Sequence, residues 1–228
     1  FDKVLPELPL SAYHAPHREQ TPGDAKAAFA TEQAVEKQIL HDLRAVEAGD
    51  EVRIQMFYLS RPEVIHAILD AAKRTEKPVR ILLDPNRVGI NYEKNGTPNS
   101  QVAAYMMQRK QMENLNLEIR WYATRGEQNH AKAMSISNPR TGKYQLTVGS
   151  SNWTRKNLAG INLEGNLFVE GSQRLNRQFD EAFDRFWYNR DPGIIYSATW
   201  DDPDLRYHRH AGMWRWADRV KFLWVFPL

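Results

Sequence analysis

The chain has 228 residues, 42% of them hydrophobic and 26% charged, with a net charge of +3 and a sequence pI near 9.0. That composition excludes a disordered chain and bounds the protein at one large domain or two small ones. The absence of cysteine excludes disulfides, thiol nucleophiles and cysteine-held metals, leaving the compartment open, and the mild positive charge permits anionic partners without requiring them.

Residues 1–25 contain Pro6, Pro9, Pro16, Pro22 and Gly23 and read as an extended arm or linker, with His14 and His17 on it as exposed residues in preference to a metal pair. The chain opens on Phe1 and not on Met, which predicts processing or excision from something larger; neither a signal peptide nor an 18-residue apolar run is found. From Asp24 to Ala48 the pattern is helical, with Ala34, Ile39, Leu43 and Val46 as the buried stripe and Gly49-Asp50 as the stop. Glu51–Leu59 is a strand that alternates and then turns fully apolar. Ser60-Arg61-Pro62-Glu63 has the form of a capping box with an early proline. It opens a helix through Ile65, Ile68, Leu69 and Ala72, with His66 on the surface. Pro78–Asp84 is the next strand.

Asp84-Pro85-Asn86-Arg87 stands at that strand's carboxyl end, where open α/β sheets bind ligands. Residues 85–99 form a loop that either lines a site or simply joins strand to helix with Asp84 as a cap, the cap being the simpler reading. Val102–Leu115 is a helix whose Met106, Met107 and Met112 read as core. Leu117–Tyr122 is a strand leading through a polar turn toward His130. Later, Asn166–Val169 is a strand, and Leu175, Phe179, Phe183 and Phe186 are the core stripe of a helix. Helix, strand, helix, strand predicts an α/β fold: a mixed, largely parallel sheet flanked by helices on both faces.

Chemistry concentrates in residues 129–169. His130 and Lys132 stand two apart, so on a strand both leave one face, about 7 Å apart along it. An imidazole can attack phosphorus or move a proton, and an ammonium beside it can hold a phosphate oxygen. Gly149-Ser150-Ser151-Asn152 adds a hydroxyl and a neutral donor. Glu164 can accept the other imidazole N–H and fix its tautomer. Arg155 and Lys156 either meet an anionic substrate or form a solvated charge pair.

The arrangement resembles the phospholipase D superfamily. His130-Ala131-Lys132 matches its His-x-Lys, Gly149-Ser150-Ser151-Asn152 its Gly-Ser and nearby Asn, and Asn162-Leu163-Glu164-Gly165-Asn166 its Asn-x-Glu-Asn apart from the interposed Gly165. The family's Asp is replaced by Ser137, which on a straight strand points away from His130 and Lys132 and is structural there. The extra residues before Gly149 fall in Asn138-Pro139-Arg140-Thr141-Gly142-Lys143, a longer hairpin loop that leaves the catalytic strands in place.

The resemblance implies one motif-bearing half of a two-motif enzyme. His130, Lys132, Asn152 and Glu164 are its catalytic residues; Ser150, Arg155 and Lys156 bind substrate; no metal or cofactor is involved. One histidine forms a phosphohistidine, the other protonates the leaving oxygen and then activates water or an alcohol. A second His-x-Lys is absent from the sequence. It therefore comes from a second copy in a homodimer, from a separate chain, or from the rest of a longer chain of which residues 26–190 are the phospholipase D-like domain. The tail, 191–228, mixes Trp200, Trp214, Trp216 and Trp224 with Arg206, Arg209, Arg215, Arg219 and Lys221. It is either an interfacial anchor, peripheral at a membrane surface, or a surface packed on a neighbouring domain. His208 and His210, also in the tail, are at most accessory. The expected substrate is a phospholipid; a nucleic acid, or a phosphate pocket without catalysis, are the alternatives.

Overall fold

The computed structural model describes residues 25–86, 88–89, 92–93, 96, 98–124 and 127–202. The expected arm up to residue 24 and the basic, aromatic tail from residue 203 lie outside the described residues. Within them the order is β1 (Lys26–Thr31), α1 (Gln33–Arg44), β2 (Glu51–Met56), α2 (Pro62–Arg74), β3 (Val79–Leu83), β4 (Val88–Gly89), β5 (Tyr92–Glu93), α3 (Asn99–Glu113), β6 (Leu117–Tyr122), β7 (Lys132–Asn138), β8 (Lys143–Gly149), α4 (Arg155–Leu158), β9 (Gly165–Glu170), α5 (Gln173–Trp187) and β10 (Ser197–Thr199).

Eight strands form one open sheet in the order β1-β9-β8-β7-β2-β3-β6-β10, while β4 and β5 pair by themselves. The expected mixed α/β sheet with helices on both faces forms, but it is not largely parallel. Parallel pairing is confined to β2-β3-β6, whose crossovers are α2 and α3; the remaining neighbours are antiparallel. On one face Val52, Ile54 and Met56 of β2, Val79, Ile81 and Leu83 of β3, and Leu117, Ile119 and Trp121 of β6 bury against Val35, Ile39 and Leu43 of α1, the apolar side of α2, and Val102 and Met106 of α3. Period-2 strands meeting period-3.6 helices give one continuous core. Val46 joins it, but Ala34 is exposed and Val35 takes its place in the stripe. Met106 and Met107 are buried as expected, whereas Met112 faces solvent.

Four local expectations are corrected. Lys26–Thr31 is not the first part of a helix but an edge strand, paired residue by residue with β9 from Lys26↔Glu170 to Thr31↔Gly165. Its alanines favour a helix, and the open edge of β9 overrides them. The capping box does not form: α2 starts with Pro62 at its first position, and Ser60 N instead donates to Trp153 O at 2.8 Å. On α5 the buried residues are Asn176, Phe183 and Trp187, while Leu175 is exposed. Ser197–Thr199, in the stretch read as tail, pairs with β6 as β10.

The second face of the sheet, under α5, joins an apolar cluster of Leu82, Phe183 and Trp187 to a set of charges. Arg53 of β2 is 3.2 Å from Asp180 and 3.3 Å from Asp184. Arg80 of β3 is 2.9 Å from Asp184 and lies over the Phe183 and Trp187 rings. Ser135 and Ser137 of β7 donate to the two oxygens of Asp180 at 2.6 and 3.2 Å. Ser137 thus lies on the face away from Lys132, as read from the sequence, because Lys132 shares its face with Met134 and Ile136 of the other core. Asp180 of α5 thus sets a carboxylate beside Ser137, where the family pattern has an Asp. The Asn138–Lys143 turn closes the far end of β7 and β8, with Asn138 and Lys143 both bonded to the buried Asp50. The extra residues therefore sit at the opposite end of the strands from His130.

Restoring Asp at position 137 faces it with Asp180, whose pKa burial already raises. Ser137→Asp should lower stability by about 1–3 kcal/mol in urea unfolding. Asp180→Asn should recover part of that loss in the double variant while destabilising the parent protein. A stable Ser137→Asp single variant would show that Asp180 does not occupy that role.

Candidate active site

The carboxyl ends of the parallel strands and the amino ends of β7 and β9 converge on one edge of the sheet. Lys132 lies opposite Met56. Ala133 pairs with Val148, so the next step along the ladder sets Lys132 beside Gly149, and Gly149 pairs with Asn166. All three sequence motifs therefore reach one row at one end of the sheet. The loops that carry them are tied to the segment after β2: Phe57 N donates to Ala131 O at 2.9 Å, and Trp153 N donates to Tyr58 O at 2.9 Å. Trp153 is buried and bridges to Leu59, fixing the chain next to Asn152.

Lys132 is 6% exposed and His130 is exposed. The Lys132 ammonium donates to His130 O at 2.7 Å and lies 3.1 Å from His130 Nδ1. Phe57 backs the pair, with its ring centroid 4.5 Å from that of His130 and 5.2 Å from Lys132 Nζ. Burial pushes the Lys132 pKa down to about 8, against the upward pull of the Glu164 carboxylate. The arrangement is an imidazole facing outward with a cation behind it, suited to an anionic group bound from the exposed side.

Glu164 takes Ser150 Oγ on one oxygen and Asn157 Nδ2 on the other. The expected bond from His130 to Glu164 is replaced in this geometry by the Lys132 contact at His130 Nδ1. Ser150 Oγ also accepts from Gly165 N at 3.1 Å, so the Gly-Ser and Glu-Gly-Asn motifs lock together. Asn152 is half-buried, and its Oδ1 and the nearby Ser151 Oγ and Asn166 Nδ2 are buried polar atoms without a protein hydrogen bond among the described residues. Arg155 and Lys156 are exposed on α4, a short turn capped by Thr154. At Gly165, the departure from the family pattern, a Cβ would stand 2.5 Å from the tip of the exposed Phe29 ring, which would have to turn aside.

Asn157 and Phe57 were not singled out in the sequence. Asn157 sat inside a run read only for its charge, and Phe57 looked like any apolar strand residue. Among the described residues no group of three or more His, Asp or Glu side chains is placed to hold a metal ion, and no helix is long and apolar enough to cross a membrane.

Residues 43–187 match the family described as cardiolipin synthase, PLD-like domain. The fold is similar to that of Nuc from Salmonella typhimurium, a phospholipase D family member, with a TM-score of 0.53 at 15% identity over 72% of this chain and 95% of that one. NucT from Helicobacter pylori gives 0.52 at 14% identity over 72% and 97% of the two chains. Phosphatidylserine synthase from Haemophilus influenzae gives 0.50 at 14% identity, over 77% of this chain but 39% of that one. Identities this low speak for the fold alone. No curated protein matches the sequence.

Gly149 is the tightest point of the row: a Cβ there would stand 2.1 Å from Asn166 Oδ1 and 2.5 Å from Gly165 O. Gly149→Ala should force β8 and β9 apart and lower stability by about 1–3 kcal/mol, read as a fall in melting temperature. An unshifted melting temperature would mean that the two strands are not held this closely.

Proposed function

The chain belongs to the family described as cardiolipin synthase, PLD-like domain, and we propose that it supplies one half of a two-histidine site for phosphodiester hydrolysis or transfer. The observation that carries this reading is the outward-facing His130 with the buried Lys132 ammonium 3.1 Å behind it. His130 Nε2, the ring nitrogen away from Lys132, is the atom turned to the substrate, whether as nucleophile or as the group that protonates the leaving oxygen. Attack by one histidine forms a P–N bond as the bond from phosphorus to the leaving oxygen breaks, and the second histidine protonates that oxygen. The second histidine then takes a proton from water or an alcohol, whose oxygen attacks phosphorus and releases the first. Lys132 and Asn152 hold the phosphoryl oxygens, and Glu164 with Asn157 and Ser150 braces the opposite side of the site.

The second His-x-Lys comes from another copy of this chain or from a companion half. The same fold makes up nearly all of the Nuc and NucT chains and a minor part of the phosphatidylserine synthase chain. For the substrate we favour a phospholipid over a nucleic acid. Ile161 and Leu163, in the loop that ends at Glu164, are 65% and 89% exposed, and Phe29 across from Gly165 is 71% exposed. An amphiphilic diester can set its phosphate on His130 and its tails on this apolar lip, with Arg155 and Lys156 beside the headgroups of a membrane surface.

Light scattering on the purified chain, combined with turnover of phospholipid vesicles, a soluble phosphodiester and DNA, tests this reading. A dimer that consumes vesicles, with turnover about 10²–10⁴-fold lower in His130→Ala, supports a site made of two copies; an inactive monomer regaining activity with a companion half supports the split form. DNA cleavage without vesicle turnover would replace the lipid reading. Leu163→Asp should slow vesicle turnover while sparing the soluble diester.

The pH profile carries a sign. The Lys132 ammonium is present below its pKa of about 8 and lost above it. The kcat/KM profile should therefore fall on an alkaline limb near pH 8, and in Lys132→Arg that limb should disappear while the residual rate stays low. An alkaline limb unchanged in Lys132→Arg would assign it to another group.

A further inference from the structure

Asp84 follows β3 directly and is 2% exposed. It is not a helix cap: α3 begins fifteen positions later at Asn99, after Pro98. Its carboxylate instead joins two separate stretches of the chain. One oxygen accepts from the backbone N–H of Asn129 at 2.7 Å, and the other from Asn86 N at 2.7 Å and Asn86 Nδ2 at 3.1 Å. Burial raises its pKa, and its described partners are all N–H groups.

The residue reached by that bond is the one before His130. A second route runs through Phe57. Asn86 Nδ2 and Asn99 Nδ2 donate to Phe57 O at 3.0 and 2.8 Å, Asn99 Nδ2 also donates to Asp84 O at 2.8 Å, and Asn99 Oδ1 accepts from Leu59 N at 2.9 Å. The Phe57 ring packs on His130 and lies under Lys132 Nζ. Asn86 holds φ 50°, a left-handed conformation that asparagine tolerates and that turns its side chain into this knot. Two chains of contact therefore start at Asp84: one reaches the backbone of Asn129, the residue before His130, and the other reaches the imidazole ring through Phe57.

We propose that Asp84 is the positioning residue of His130: it sets the orientation of the imidazole through Asn129 N and through Phe57 without touching substrate. This rests on the reading of His130 as the reacting group. A carboxylate suits the task because it accepts on both oxygens at once. A carboxamide accepts on one and would turn its NH₂ against an N–H donor. The cluster is fully buried, so water does not replace the lost acceptor.

The test uses Asp84→Asn in the full chain, assembled as the active species. Steady-state turnover of a soluble phosphodiester is measured beside the titration of the His130 ring by NMR on histidine-labelled protein, with His130→Asn assigning the signal. We expect kcat to fall about 100-fold with KM changed by less than about 3-fold, the cost of a reacting group displaced by roughly an ångström, and the His130 resonance and its midpoint to shift. Asn86→Gly, which keeps the left-handed backbone and loses the side chain, should show a smaller change in the same direction, and it stands in if Asp84→Asn does not fold. A lowered melting temperature with kcat and the His130 titration unchanged would overturn the proposal. If the parent protein turns over no phosphodiester, the activity reading fails by itself, and the His130 titration alone decides: a shift upholds the positioning role and no shift overturns it.

Discussion

The site depends on keeping an ammonium buried at the first residue of a strand. Lys132 cannot stay there unless its hydrogen bonds are met locally, and His130 meets them with its carbonyl and its ring. Charge and imidazole are thereby fixed in one unit. The rest of the fold maintains that unit. β2 carries Phe57 under it, β8 brings Gly149 close enough for Asn166 to follow, and α4 ends beside Glu164. The depressed pKa of the lysine follows from the same burial that gives it a fixed place.

The two faces of the sheet solve the same packing problem with different chemistry. Under α1, α2 and α3 the strands present Val, Ile, Leu and Met, and the hydrophobic effect supplies the adhesion. Under α5 the central strands present Arg53 and Arg80, and the helix answers with Asp180 and Asp184 while Phe183 and Trp187 pack beside the guanidinium groups. A buried ion pair adds little stability but penalises every wrong register, since a displaced strand leaves an unpaired charge. These charges, with the apolar contacts of Phe183 and Trp187, join α5 to β2 and β3, and Asp180 joins it to Ser135 and Ser137 of β7.

Much of this was legible in the sequence because the motifs are local. His130, Lys132, Ser150, Asn152 and Glu164 declared themselves by residue type and spacing, and the strand period gave the correct face for Ser137. The central strands and the amphipathic α1 and α2 followed from periodicity. What was not legible depended on partners far along the chain. Lys26–Thr31 reads as helix until β9 offers an edge. Ser60 reads as a cap until Trp153 O competes for its N–H. Asp84 reads as a cap because nothing at its own position reveals a bond to Asn129, and the carboxylate that serves Ser137 is 43 positions away on α5.

The motif-bearing strands β7, β8 and β9 are consecutive in the chain and adjacent in the sheet. The entropy of closing a loop grows with the logarithm of its length, so these pairings are among the least demanding to form. The bonds from Asp84 to Asn129 and from Ser135 to Asp180 each close 45 residues. The pairings of the reactive row thus close within one short stretch of chain, whereas the two carboxylates tie that stretch to segments 45 residues away in either direction.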